Sequence, residues 1–295
     1  MHDALLSHPT LSRDYELQVV PYSPGDEDIP DVSEYNAVGI ITALNAETED
    51  MEHLVSTGAR VVNMSDSLYE GTSSLHICPE YFAEAIVRHA QVAGFKALAY
   101  LVTRGIVNQE CSQGRLFEKA TQKAGLGYWQ ESVEERPLGV SLEEWSAQHS
   151  DSIERLVNTK KRTLVYTFHD WRAVTLLEIL QNRGVKVPEQ IGVLGRGNSL
   201  NARSGSLPIS SFVTPMMAMA QKAVEIIKSG EDQDVRVAHG DIISRASTVG
   251  SEEPRQLMEK LPEMIQQYGI EGISVAELAT LAGVSRSTLE RNYRE

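Results

Sequence analysis

Cysteine is scarce, with Cys78 and Cys111 the only two in 295 residues. Their spacing fits neither a disulfide scaffold nor a CxxC metal or redox pair, so two thiols in a reducing cytosol are expected. Basic charge is short as well. Twenty-seven lysines and arginines face 41 aspartates and glutamates, a formal charge of -14, which excludes general polyanion affinity; nucleic-acid binding would need a local basic surface. No apolar run approaches the ~18 residues of a membrane span. Met1 to Pro9 carries His2, Asp3 and His8 where a signal peptide needs a basic patch and an apolar stretch, so a cytoplasmic protein with no membrane partner is expected. Catalytic signatures are missing too: there is no GxSxG, P-loop or HExxH, and Gly195, Gly197 and Gly205 do not make a GxGxxG. With no metal-ligand cluster either, neither a cofactor nor an enzyme is expected.

What is present is an alternation. Apolar β-prone runs at Leu17 to Tyr22, Ala37 to Thr42, Arg60 to Met64, Ser74 to Cys78, Ala97 to Val102, Thr163 to Phe168 and Gln190 to Leu194 are separated by helical patterns. This predicts an α/β, doubly wound class with parallel sheets. Several runs are nearly all apolar, as strands covered on both faces are. Helices are predicted over Tyr81 to Val92, stopped by Gly94, over Ala173 to Leu180, stopped by Gly184, and over Met216 to Ile227. The first 14 residues do not read as a strand, so an opening β-unit is expected to be missing.

A β-like run from Asp241 to Thr248 leads into a polar linker at 250–255. Beyond it, residues 256–295 read as helical. Ser274 and Glu277 form a capping box, Leu278 and Leu281 an apolar face, and Gly283, Val284 and Ser285 a short turn before a last helix from Arg286. Two short helices about a three-residue turn make helix-turn-helix geometry. Arg286, Ser287, Glu290 and Arg291 lie on its exposed face, the polarity of a major-groove helix, although a solvated helix face has the same pattern.

The stretch SVAELATLAGVSRSTLERNYRE (Ser274 to Glu295) resembles the first helix-turn-helix of AraC/XylS-type transcription regulators. Upstream, VPEQIGVLG (Val187 to Gly195), VTPMMAMAQKAVEII (Val213 to Ile227) and SRAST (Ser244 to Thr248) are similar to the closing third of LacI/GalR-type sensor cores, which have the periplasmic-binding-protein type I fold. Sensor then reader is the order of the xylose-operon activator class. The resemblance implies a two-lobed sensor over 1–249, with lobe one about 1–103 and 212–230 and lobe two about 104–211 and 231–249. It implies a small polar effector, a sugar or sugar-derived metabolite, between Rossmann-like lobes, and a sequence-specific DNA operator; with basic charge confined to the last helix, two-site binding or a homodimer is expected. AraC-type readers carry two helix-turn-helix units, and only one fits after the linker, so weak DNA affinity is expected of these 295 residues. In LacI-like sensors an aspartate after the VxG strand holds a sugar hydroxyl; here the residues are Arg196, Gly197 and Asn198, with Gly197 in the aspartate's place.

Five residues are expected at the effector. His169 and Asp170 follow the Thr163 to Phe168 run, at the carboxyl end where doubly wound folds bind ligands; a structural hydrogen-bonded pair is the other reading. Arg104, Arg196 and Asn198 end strands in the same way. Trp171 fits either a ring stacked on the effector or a core side chain. Two rivals remain. A solute-binding receptor serving a transporter would carry a signal peptide and no helical reader. A cytosolic α/β carbohydrate enzyme would have His169 with Asp170 as its one candidate acid–base pair.

Overall fold

The computed structural model describes residues 16–20, 32–43, 48–64, 69–103, 109–137 and 139–249, in two units, each with its own sheet. One unit takes the described residues up to Cys78 with Pro215–His239; the other takes Pro79–Thr214 and those from Gly240 on.

In the first unit, β1 (Gly39–Thr42), β2 (Arg60–Asn63), β3 (Thr72–Ile77) and β9 (Asp234–Val237) pair in that order, all parallel. Among its described residues two α-helices form, α1 (Thr48–Ser56) and α8 (Met216–Ser229), with a 3-10 turn at Ser33–Tyr35. Met219, Ala220, Ala223, Val224 and Ile226 of α8 are buried, and their helical spacing is the amphipathic signal in the sequence. Gly230 ends the helix at φ 75, a left-handed cap that suits glycine. Gly39 is a glycine for another reason: a Cβ there would lie 2.7 Å from Ile227.

The second unit has a six-stranded sheet in the order β10 (Asp241–Ile243), β8 (Ser210–Val213), β7 (Ile191–Arg196), β6 (Thr163–Thr167), β4 (Ala97–Thr103), β5 (Gly127–Val133). All pairs are parallel except β10 with β8. Its helices are α2 (Pro79–Val92), α3 (Gln109–Ala124), α4 (Leu142–Gln148), α5 (Ser150–Val157), α6 (Asp170–Asn182) and α7 (Leu200–Ser204). The period of two along the strands sorts the core into two faces. Ala99, Leu101, Val165, Ile191 and Val193 join one cluster with Ile153, Leu156, Leu176 and Leu180. Tyr100 and Tyr166 point the other way, into an aromatic cluster with Phe82 and Phe117, ring centroids 5.2 to 6.1 Å apart. Phe212 extends it, 4.7 Å from Phe82. β4 pairs with β5 on one side and β6 on the other. Chain order therefore reverses between β4 and β6, and in open α/β sheets ligands bind beyond the carboxyl ends of strands at such a reversal.

Several expectations are corrected. The lobe boundaries fall at 78/79, 214/215 and 239/240, not at 103/104, 211/212 and 230/231. The reason is pairing: β4 hydrogen-bonds to β5 and β6 of the second sheet, whereas β9 adds to β3 of the first. Residues 16–20 form no strand, and of the run 241–248 only Asp241–Ile243 is strand, antiparallel to β8. Strands β5, β8 and β9 gave no sequence signal. The first and last alternate polar residues along sheet edges, and β8 is four residues of which two are serine. The linker at 250–255 and the helix-turn-helix at 256–295 lie outside the described residues.

Candidate ligand-binding site

Three elements meet at the carboxyl edge of the second sheet: the turn from β6 into α6, the turn from β7 into α7, and the start of β8, which lies beside the end of β7. α6 begins at Asp170, whose side chain is 2% exposed. Its carboxylate sits in the first turn, where the helix dipole favours negative charge. Asp170 Oδ2 accepts from the Ser199 amide at 2.6 Å, and Oδ1 accepts from Ser211 Oγ at 2.6 Å. Ser211 Oγ also accepts the Asn198 amide at 2.8 Å. One buried carboxylate thus fixes the turn after β7 and the start of β8 to the head of α6. Close packing here requires a glycine, since a Cβ on Gly195 would lie 2.4 Å from Asp170 Oδ1 and 2.9 Å from its Cα.

Asn198 has φ 55, in the left-handed region where asparagine is enriched. Its Oδ1 accepts from Arg245 Nη2 at 2.5 Å. Gly197 has φ 116, a conformation L side chains rarely adopt, and a Cβ there would lie 3.7 Å from Asp170 Oδ2. An aspartate at 197 would meet both strain and a like charge, so a carboxylate has no natural place at this turn.

Arg196 ends β7 with its guanidinium 5.1 Å from the Phe82 ring centroid and 5.0 Å from that of Phe168. Both distances are in the cation–π range. His169 lies beside it, stacked near-parallel with Trp171 at 6.2 Å and edge-on to Phe168 at 4.8 Å. Burial, then the charges of Arg172 and Arg196, lower its pKa to about 4, so the imidazole is neutral at physiological pH. Trp171 remains 39% exposed. Arg172, 5.0 Å from that ring, pairs with Glu135 at 3.1 Å.

Of the residues expected at the effector, His169, Asp170, Arg196 and Asn198 come together at this edge. Their roles divide: Asp170 is internal architecture, whereas Arg196, His169 and Trp171 form a planar cation, a neutral imidazole and a partly exposed indole side by side. The alternative reading of a hydrogen-bonded His169–Asp170 pair is not the arrangement found, because the Asp170 oxygens are taken up by Ser199 and Ser211. For the same reason these two residues are not arranged as an acid–base dyad. Arg104 lies outside the described residues, as do Arg286, Ser287, Glu290 and Arg291. Sequence reasoning missed Ser199, Ser211 and Arg245 and gave Phe82 no role beyond the helix predicted over Tyr81 to Val92; Arg245 sat in SRAST, a stretch singled out for its resemblance. Among the described residues no group of three or more His, Cys, Asp or Glu could hold a metal ion, and no helix is long and apolar enough to cross a membrane.

Known proteins agree with this architecture. The chain is 28% identical over 153 residues to the HTH-type transcriptional repressor PurR of Vibrio campbellii, covering 49% of this chain and 45% of the relative. It is 27% identical over 176 residues to PurR of Vibrio cholerae, covering 55% and 52%. The chain thus spans about half the length of the curated relatives it matches. Among solved structures, a LacI family transcriptional regulator from Arthrobacter sp. FB24 in complex with lactose superposes with TM-score 0.64 at 17% identity, over 84% of this chain and 93% of that one. A LacI family regulator from Bifidobacterium animalis superposes with TM-score 0.63 at 19% identity, over 84% and 92%. Residues 87–248 match the family described as periplasmic binding protein-like domain. With more than half of its length in that match and two sheets built as described, the chain belongs to the periplasmic binding protein-like domain family.

Proposed function

We propose that this chain belongs to a ligand-responsive transcription regulator, with residues 1–249 as its sensing part, and is not an enzyme. A small polar metabolite, in the first instance a sugar, is its effector. The observation that carries the reading is the set of His169, Trp171 and Arg196 at the carboxyl edge of the second sheet, next to the reversal of strand order. An uncharged imidazole and a guanidinium serve hydroxyl groups as acceptor or donor, and a partly exposed indole offers apolar surface to a sugar ring. Asn198 contributes through its carboxamide, and Arg104 belongs to the same expected set. Two structural neighbours hold lactose and ribose, and the matched repressors are transcriptional regulators by name. The rival enzyme reading has only His169 with Asp170 as its acid–base pair, and Asp170 is turned inward.

DNA contact falls to the C-terminal stretch, which we read as one AraC-type helix-turn-helix. Arg286, Ser287, Glu290 and Arg291 face a major groove, and a homodimer supplies the second contact that a single small reader needs on an acidic chain. Two titrations test the proposal. In the first, calorimetry of the chain with lactose, D-ribose and cellobiose is expected to find one binder, weakened by Trp171→Ala by about 0.5 to 1.5 kcal/mol from lost stacking. In the second, polarisation at stated salt compares the 295-residue form with a form extended by a second helix-turn-helix on the same operator fragment. The extended form is expected to bind far more tightly, and its failure to bind would overturn the regulator reading.

A further inference from the structure

Segment 244–249 follows β10 and is fastened to the sheet mainly by side chains. Ser247 Oγ donates to the Val193 carbonyl at 2.6 Å and accepts the Ser210 amide at 2.8 Å. Ser210 Oγ accepts the Arg245 amide at 2.7 Å and lies 2.6 Å from Thr248 Oγ1, which in turn is 3.0 Å from His89 Nε2. Ser210, Ser247, Thr248 and His89 are all buried. The segment is therefore a rivet through β7, β8 and α2, and the chain runs on from it into residues 250–295.

Arg245 joins this rivet to the candidate site. Its Nη1 donates to the Ile209 carbonyl at 2.7 Å, and its Nη2 donates to Asn198 Oδ1 at 2.5 Å. The guanidinium is a rigid planar fork, so the two bonds are geometrically linked, and losing one acceptor disturbs the other. Asn198 is held by two groups of different kinds: its amide by Ser211 in the Asp170 anchor, its carboxamide by Arg245. A ligand that takes the carboxamide removes one leg of the Arg245 fork and leaves the anchor intact.

We propose that Arg245 is a positioning residue that couples the loop bearing Asn198 to segment 244–249, so that a ligand drawing the Asn198 carboxamide away loosens the segment from which residues 250–295 continue. The purpose of this coupling rests on the regulator reading above. Its mechanics rest on the Asn198–Arg245–Ser210 contacts alone.

The test needs neither effector nor DNA. Hydrogen exchange followed by mass spectrometry is measured on the full chain, in peptides covering 244–249, with peptides from β4 and β6 as internal references. Asn198→Ala is expected to speed exchange at 244–249 about tenfold, equivalent to roughly 1.4 kcal/mol, with the references unchanged. Arg245→Met removes the Asn198 contact together with the one to the Ile209 carbonyl, so it should speed exchange at least as much, and the double variant should be no faster than Arg245→Met alone. Asn198→Gly, which takes φ 55 without strain, should exchange as fast as Asn198→Ala, whereas Asn198→Asp keeps an acceptor for Arg245 and should restore slow exchange. Unchanged exchange in Asn198→Ala, or effects that multiply in the double variant, would overturn the coupling. If Arg245→Met does not fold, the Ala and Asp variants at 198 decide alone. A failed effector screen would count against the regulator reading and leave this result standing.

Discussion

Ser211 Oγ donates a 2.6 Å hydrogen bond to Asp170 Oδ1, joining the start of β8 to the first residue of α6 across 41 positions of sequence. The acceptor is a carboxylate oxygen buried to 2% exposure, and hydrogen bonds to carboxylates are stronger than neutral pairs. It also explains why a residue expected at the ligand is instead part of the frame that holds the site.

Removing that contact should therefore register as stability. Ser211→Ala is expected to lower unfolding free energy by about 1.5 to 3 kcal/mol, the range for hydrogen bonds to charged groups. Urea denaturation checks it through a shifted midpoint at constant slope. A change within about 0.5 kcal/mol, the scatter of ordinary surface substitutions, would show the bond to be dispensable.

Gly195→Ala tests the same packing by addition. The new methyl group would meet Asp170 at 2.4 Å from Oδ1 and 2.9 Å from Cα, and backbone cannot swing aside as a flexible side chain does. A loss of about 1 to 3 kcal/mol is expected from overpacking. Near-neutral behaviour in a thermal melt would mean that α6 slides on β7 without cost.

Acid should weaken the second unit through His89. This imidazole is buried, with its pKa lowered from 6.5 to about 4 by desolvation. The native state thus resists a proton that the unfolded chain takes up below pH 6.5. The stability from a neutral His89 is present in full above pH 6.5 and is lost as pH falls toward 4, reaching on the order of 3 kcal/mol. Denaturation at pH 7, 5.5 and 4.5 measures the slope, and His89→Gln should flatten it. An equal slope in the variant would assign the acid sensitivity to other groups.

Arg196 is expected to matter for both shape and binding. Its guanidinium lies over Phe82 and Phe168, so Arg196→Met should lower stability by about 1 kcal/mol. A double-mutant cycle with Phe82→Leu separates this cation–π contribution from packing. Strict additivity in the cycle would place the arginine beside the ring without coupling to it.

The sequence by itself determined the α/β class and most parallel strands, because apolar runs such as Ala97 to Val102 and Thr163 to Phe168 carry their burial pattern locally. It also determined where α2, α6 and α8 run, since helical periodicity and stopping glycines need no distant partner. It placed His169, Asp170, Arg196 and Asn198 at strand ends, where ligand groups collect in such folds. Only the tertiary structure decided which sheet each strand joins: β9 carries no mark that it pairs with β3, and β4 none that it belongs with β5 and β6. Register between strands far apart in sequence depends on what the rest of the chain leaves open. The same distinction divides the site residues. Whether Asp170 faces a ligand or the protein's own Ser199 and Ser211 depends on groups 29 and 41 positions away, and such pairing is fixed by packing geometry, to which no local pattern of residues is sensitive.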